Sequence, residues 1–172
     1  MKQLNHFEFK KIQKKLKPNI VLILENFEHD ENIGLAFRLA DSFNCDKIFI
    51  VSKRNLNKLK IEKTARNCTK TIYYEIFYSI EEVIELLKNE NYSLVSLEIC
   101  DDSKSLREIN FSKIEKIALI LGSEREGVSN FALNNSDICT HIDMYGNNSS
   151  MNVATSLAIC LYKICEDKIK NK

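Results

Sequence analysis

Short runs of consecutive apolar residues alternate along the chain with stretches whose apolar positions recur every three or four residues. The first run, NIVLIL (19–24), predicts a strand buried on both faces. In ENIGLAFRLADSF (31–43), Ile33, Phe37, Leu39 and Ala40 fall on helical spacing, with Asp30 as the expected N-cap. KIFIV (47–51) predicts the next strand, residues 56–69 a polar helix or loop, and TIYY (71–74) a short strand. SIEEVIELLKNE (79–90) is an amphipathic helix opened by Ser79, with Glu82 three residues on in a capping-box pattern. YSLVSLEI (92–99), KIALIL (116–121) and DICTHID (137–143) predict three further strands. SMNVATSLAICLYKICEDKIK (150–170) predicts a long closing helix, opened by Ser150 and Asn152, with Val153, Leu157, Leu161 and Ile164 on one stripe. Strands apolar on both faces and separated by helices define an α/β fold, a parallel sheet with helices on both faces.

No linker rich in Pro, Gly or Ser, no repeat and no low-complexity tract interrupts this alternation. The expectation is one domain, residues 19–172, preceded by a basic N-terminal arm, residues 1–18. The arm is predicted to be helical over 4–17, with Phe9, Ile12 and Leu16 docked on the body. With 172 residues, 44% of them hydrophobic, the chain is long enough to bury a proper core.

The formal charge of +1 conceals an asymmetry. KQLNHFEFKKIQKKLK (2–17) carries six Lys against one Glu, so a basic arm precedes a mildly acidic body. Such an arm suits phosphates, and a solvated amphipathic helix face is the equal alternative on charge alone. The six cysteines (Cys45, Cys68, Cys100, Cys139, Cys160, Cys165) show no ligand spacing and read as small hydrophobes; no metal site is expected. No secretory apolar stretch follows the N-terminus and the longest apolar runs fall short of a membrane span, so a cytoplasmic location without membrane contact is expected.

All four glycines (Gly34, Gly122, Gly127, Gly146) fall in three polar-rich segments. The middle one, LGSEREG (121–127), excludes two familiar motifs. Val128-Ser129 stands where a Walker loop needs Lys-Ser/Thr, and two carboxylates would repel a triphosphate. Ser123 follows Gly122 directly and Arg125 replaces the second Gly, so it is no nucleophile elbow. No G-x-G-x-x-G occurs, and His6, His29 and His141 form no metal spacing. Singly, each segment has a structural reading: Arg38 as a surface ion pair, Ser150 and Asn152 as helix caps, Glu124 as a helix-dipole partner.

Taken in order, NIGLAFRLADSF, LILGSEREGVS and IDMYGNNSSMNVATSLA resemble motifs 1, 2 and 3 of the SpoU (TrmH-like) RNA methyltransferases of the SPOUT superfamily. The likeness runs from about residue 20 to 165. Asp143 departs from the family's usual Pro, Arg125 from Gly or Lys and Met151 from Leu, and FNCDK lacks a common Gly. The resemblance implies a C-terminal α/β (trefoil) knot over roughly residues 92–165, whose loops bind S-adenosylmethionine through Leu97, Glu98, Gly122, Ile142, Met144, Ser150 and Met151. Gly122 is expected to let the backbone approach the cofactor closely.

The implied reaction is methylation of a ribose 2′-hydroxyl in RNA by Arg38, Asn32, Glu124, Ser150 and Asn152. A guanidinium stays protonated to very high pH, so Arg38 is favoured as a phosphate clamp, with a direct base role left open. The family completes its site across a homodimer, with Arg38 reaching the partner chain. The short basic arm, with Lys10, Lys11, Lys14 and Lys15 as candidate RNA contacts, favours tRNA over ribosomal RNA. Two alternatives stay open: a catalytically silent relative that binds RNA or cofactor, and a knot enzyme that methylates a base.

Overall fold

Residues 2–13 and 16–170 are described by the computed structural model of the chain. Adjacent residues of the first strand serve opposite layers. In β1 (Ile20–Glu25), Ile20, Leu22 and Leu24 pack on one face and Val21 and Ile23 on the other, all fully buried. The same division runs through β2 (Lys47–Val51), β4 (Ser93–Leu97) and β6 (Ile117–Leu121). Adding β3 (Tyr73–Phe77), β5 (Lys104–Ser105) and β7 (Ile138–His141) gives a seven-stranded sheet in the order β3-β2-β1-β6-β4-β7-β5, with every pairing parallel.

Helices cover both faces, as the apolar runs require. α2 (Asp30–Ser42), α3 (Lys58–Ala65) and α6 (Val153–Lys170) share the layer holding Phe37, Ile61, Leu157 and Leu161. α4 (Ile80–Asn89) and α5 (Asn130–Asn135) close the other through Val83, Ile84, Leu87 and Ala132. Burying one such aliphatic side chain contributes about 1.5–3 kcal/mol, so the apolar stripe of α6 holds that helix down. A buried polar contact fixes its position too: Asp167 accepts from the Phe111 N–H at 3.0 Å and from Lys163 Nζ at 2.6 Å.

The chain winds outward from β1 to β3, then crosses back to start β4 on the far side of β6. Winding therefore reverses in the middle of the sheet. In open parallel sheets this reversal leaves a crevice at the carboxyl ends of the strands.

Several sequence expectations are corrected locally. Asp30 is the first helical residue of α2 and not its cap, because its carboxylate is taken by Arg54 Nη2 at 2.8 Å and the Asn57 N–H at 3.3 Å. Ser79 does cap α4, accepting from the Glu82 N–H, but its hydroxyl donates to Glu81, so the Glu82 half of the box is missing. α6 starts at Val153 and not at 150, since Asn152 turns its side-chain oxygen onto the Ala154 and Thr155 N–H groups and leaves Ser150 in the preceding loop. The arm forms only α1 (His6–Ile12), capped reciprocally by Asn5 and Glu8. Gln13 leaves the helix with extended backbone; Ile12 stays 65% exposed and does not dock as expected, while Phe9, 53% exposed, borders a hollow shared with Phe43 and Tyr162 of the body. Leu16 is half-buried, lines the same hollow with Phe43, Tyr162 and Ile169 of the body, and accepts at its carbonyl from Asn44 Nδ2. Lys14 and Lys15 lie outside the described residues.

Candidate active site

The loop after β6 is shaped by its own glycines. Ser123 and Gly127 pair across it, with reciprocal N–H to carbonyl bonds of 3.1 and 3.0 Å. A Cβ on Gly122 would stand 1.9 Å from the Gly127 carbonyl carbon and 2.0 Å from the Val128 nitrogen. Gly122 is therefore required by the loop's own closure. Gly127 has φ +69, the left-handed region that favours glycine, and its missing Cβ makes room for the Glu98 carboxylate. That carboxylate accepts from the Val128 N–H at 2.8 Å, pinning the loop to the end of β4.

Glu124 projects from this loop onto the segment entering α2. Its carboxylate accepts from the Glu28 N–H at 2.7 Å, the His29 N–H at 3.3 Å and Asn32 Nδ2 at 2.6 Å. Burial opposes its ionisation, but the bonds from Glu28, Asn32, its own backbone and His29 outweigh that and hold the carboxyl below its ordinary range. Asn32 is buried, and its oxygen accepts from Asn152 Nδ2 at 3.2 Å. Asn152 in turn caps α6. Glu124, Asn32 and Asn152, one from each motif, thus form a continuous hydrogen-bonded row.

The row borders a cleft of about 620 Å³ at the carboxyl ends of the central strands. All seven residues expected to touch a cofactor, Leu97, Glu98, Gly122, Ile142, Met144, Ser150 and Met151, line it, as do Asn32, Glu124 and Asn152. Ile99, Leu121 and Val153 add apolar wall. Sequence reasoning missed His29 and His141, which also border it. His29 could have been noted as the residue before α2; nothing in the spacing marked His141. Asp143 is not among the lining residues: it accepts from Ser105 Oγ at 2.6 Å and ties the loop after β7 to β5. Arg125, at the tip of the glycine loop, reaches Glu28 at 3.3 Å across the rim.

Arg38 is the candidate left out of this cleft. It lies six residues beyond Asn32 on α2, about 9 Å further along the axis at 1.5 Å per residue. The side chain is exposed. Burial and the Asp41 carboxylate push the Cys68 thiol up, and the positive charge of Arg38 opposes them. Among the described residues Arg38 forms no ion pair, so the surface-pair reading fails. Lys10 and Lys11 are exposed on α1.

Among the described residues no three His, Cys, Asp or Glu side chains are grouped so that they could hold a metal ion. Among the same residues, no helix is long and apolar enough to cross a membrane.

A doubly covered parallel sheet with a glycine-shaped loop beside a mixed polar and apolar crevice defines an α/β protein with a cleft of small-molecule size at its strand ends. More specifically, the chain belongs to the SpoU rRNA Methylase family, which it matches over residues 19–162. An uncharacterized tRNA/rRNA methyltransferase of Borreliella burgdorferi is 30% identical over 88% of this chain, which spans 65% of that relative's length. A tRNA (guanosine(18)-2'-O)-methyltransferase of Thermus thermophilus is 23% identical over 92% of this chain and 80% of its own. The AdoMet-bound rRNA methyltransferase from Sinorhizobium meliloti shares the fold with a TM-score of 0.80 at 18% identity, over 88% of this chain and 57% of that one.

Proposed function

We propose that the chain is an S-adenosylmethionine-dependent RNA methyltransferase acting on a ribose 2′-hydroxyl, with tRNA favoured over ribosomal RNA. The observation that carries this reading is the single cleft that gathers residues of all three motifs and is of small-molecule size. The Thermus relative, named for 2′-O-methylation of tRNA, and the AdoMet-bound Sinorhizobium structure support the reaction and the cofactor. The knot expected over roughly residues 92–165, the arm of residues 1–18 and a cytoplasmic site of action belong to the same reading.

The residues present suit the cofactor. Leu97, Ile142, Met144 and Met151 offer apolar surface for an adenine and for the methylenes beside a sulfonium, and the loop after β6 borders the same cleft. S-adenosylmethionine, when bound, supplies an already activated methyl group. The chain's own work is alignment and charge. Ionised Glu124 holds the entry to α2 and orients Asn32, which with Asn152 and Ser150 sets the wall against which the ribose is positioned. Arg38 binds the neighbouring phosphate and lowers the cost of negative charge on the 2′-oxygen.

Because Arg38 lies outside its own chain's cleft, a second copy is the natural route by which it meets a bound cofactor, and we read the functional unit as a homodimer. Light scattering at micromolar concentration should give twice the chain mass of 19.9 kDa. A monomeric mass with activity intact would overturn the dimer.

The deciding experiment is tritium transfer from S-adenosylmethionine to separated tRNA and ribosomal RNA taken from a source lacking this protein. Wild type should label one pool as an alkali-resistant dinucleotide, and Arg38→Ala should lose about two to three orders of magnitude in rate with cofactor affinity unchanged. Label recovered on a base points to a base methyltransferase; cofactor binding without transfer to either pool points to a silent relative.

A further inference from the structure

A second basic stretch lies inside the body. Residues 53–70, KRNLNKLKIEKTARNCTK, hold seven basic side chains against the single carboxylate of Glu62. Apart from this stretch and the arm (2–17), the chain carries twelve basic and twenty-two acidic residues. The basic stretch forms α3 and its flanking turns, with Ile61 and Ala65 buried towards α2 and the cations left on the outside.

The cations divide by their partners. Arg54 is bound to Asp30 and Lys60 to Glu31 at 3.4 Å. Lys53, before the helix, and Lys58, Lys63, Arg66 and Lys70 are exposed, and among the described residues none of the five forms an ion pair. A solvated helix face in an acidic protein would be expected to draw carboxylates to these side chains. Asp41, which lies at hand, is engaged by the Thr71 hydroxyl instead.

Their position relative to α2 gives the patch a direction. Gly34 has no side chain, and a Cβ there would meet the Ile61 carbonyl and Thr64 Cβ at 2.7 Å, so α2 and α3 are in close contact at that point. Lys60 reaches Glu31 on one side of this crossing, and on the other Thr71 donates to Asp41, one turn beyond Arg38 on α2. The two helices thus run side by side, and the turn after α3 that carries Arg66 leads to Arg38. Lys58 and Lys70 also flank a small hollow of about 180 Å³ that Tyr74 and Ile76 line, with Glu62 at its edge. Tyr74 is propped by Phe37, edge to face at 5.1 Å between ring centres. A held aromatic ring in the same hollow as two lysines suits a base and its adjoining phosphates.

We infer that the substrate RNA docks along the outer face of α3, its phosphates on Lys58, Lys63, Arg66 and Lys70, so that the backbone is delivered to Arg38. This rests on the reading of the chain as an RNA methyltransferase and adds a docking surface that the cleft and the N-terminal arm do not supply. It assigns α3 the phosphate contacts that position a strand, and leaves choice of nucleotide to the cleft.

The test compares the full-length wild type with the Lys58→Ala/Lys63→Ala/Arg66→Ala/Lys70→Ala variant and with Lys58→Arg/Lys63→Arg/Lys70→Arg. Fluorescently labelled total tRNA is the binding probe, titrated over a series of salt concentrations, and methyl transfer and cofactor affinity are measured alongside. The alanine variant should bind at least about tenfold more weakly near physiological salt, with the slope of log affinity against log salt reduced by about two to three. Its cofactor affinity should be unchanged, and the arginine variant should bind like wild type, which separates lost charge from lost fold. Unchanged RNA affinity in the alanine variant, with wild type methylating RNA, would overturn the docking surface and leave the enzyme reading intact. A wild type that neither binds nor methylates RNA would overturn both.

Discussion

Asn32 donates its side-chain amide to Glu124 Oε1 at 2.6 Å, across 92 residues of sequence. The bond joins the first motif to the second, and the oxygen of the same amide receives Asn152 of the third at 3.2 Å. A side chain with one donor and one acceptor end suits a position between a carboxylate and another amide. The alignment of the cleft therefore depends on Glu124 being ionised.

Glu124→Gln should lower stability at pH 7 by about 1–2 kcal/mol, because charge-assisted bonds to the Glu28 and His29 N–H groups are weakened. The folded-state pKa of Glu124 lies below its ordinary 4.5. Its contribution is thus fully present above that value and is lost as pH falls through the lower folded one. Urea unfolding from pH 7 to pH 3 should show the gap between wild type and variant closing only in the acid range. A constant gap would mean that Glu124 acts through shape alone.

The glycines should separate sharply. Gly122→Ala drives a methyl group into the Gly127–Val128 backbone and should cost about 3 kcal/mol or prevent folding. At Gly127→Ala a positive φ and the Glu98 carboxylate both resist the change. Around Gly146 an added Cβ meets nothing within 4 Å, so Gly146→Ala should stay within about 0.5 kcal/mol. Thermal melts of the three variants check this ordering.

Asp143→Ala should loosen the loop after β7 by removing the bond from Ser105 Oγ. The expected cost is about 1 kcal/mol in stability. Cofactor affinity should fall severalfold, since Ile142 and Met144 on either side line the cleft. Calorimetric titration with S-adenosylmethionine measures it; unchanged affinity would assign Asp143 to β5 alone.

Burial pushes the thiols of Cys160 and Cys165 up to about 12 and about 11. A thiol at about 12 is ionised to about one part in ten thousand at pH 8, and only the thiolate alkylates. Iodoacetamide at that pH should leave both unmodified in the folded protein and modify both in denaturant, as read by mass spectrometry.

Residue order by itself determined the fold class and most of its elements. IVLIL, KIFIV and IALIL each lack a polar face, which only a sheet covered on both sides can accommodate, and all three are buried strands. It also marked out which residues share the cleft, because three motifs in a known order carry their spacing with them. Local competition for hydrogen bonds was not legible. Asp30 could cap a helix or pair with Arg54, and only the placement of Arg54 across from it chose the second. The two-turn limit of α1 was equally hidden, since Phe9, Ile12 and Leu16 keep a helical spacing whether or not the backbone stays helical past Gln13.

Only the tertiary structure decided which backbone atoms forbid a side chain at Gly122, which N–H groups bond Glu124, and that Arg38 lies outside the lining of its own chain's cleft. Each of these depends on backbone brought together from segments far apart in the chain. Periodicity reports the face a residue presents within its own element. It carries no information on which distant N–H group, carbonyl or loop that face will meet, and the chemistry of this cleft is built from such meetings.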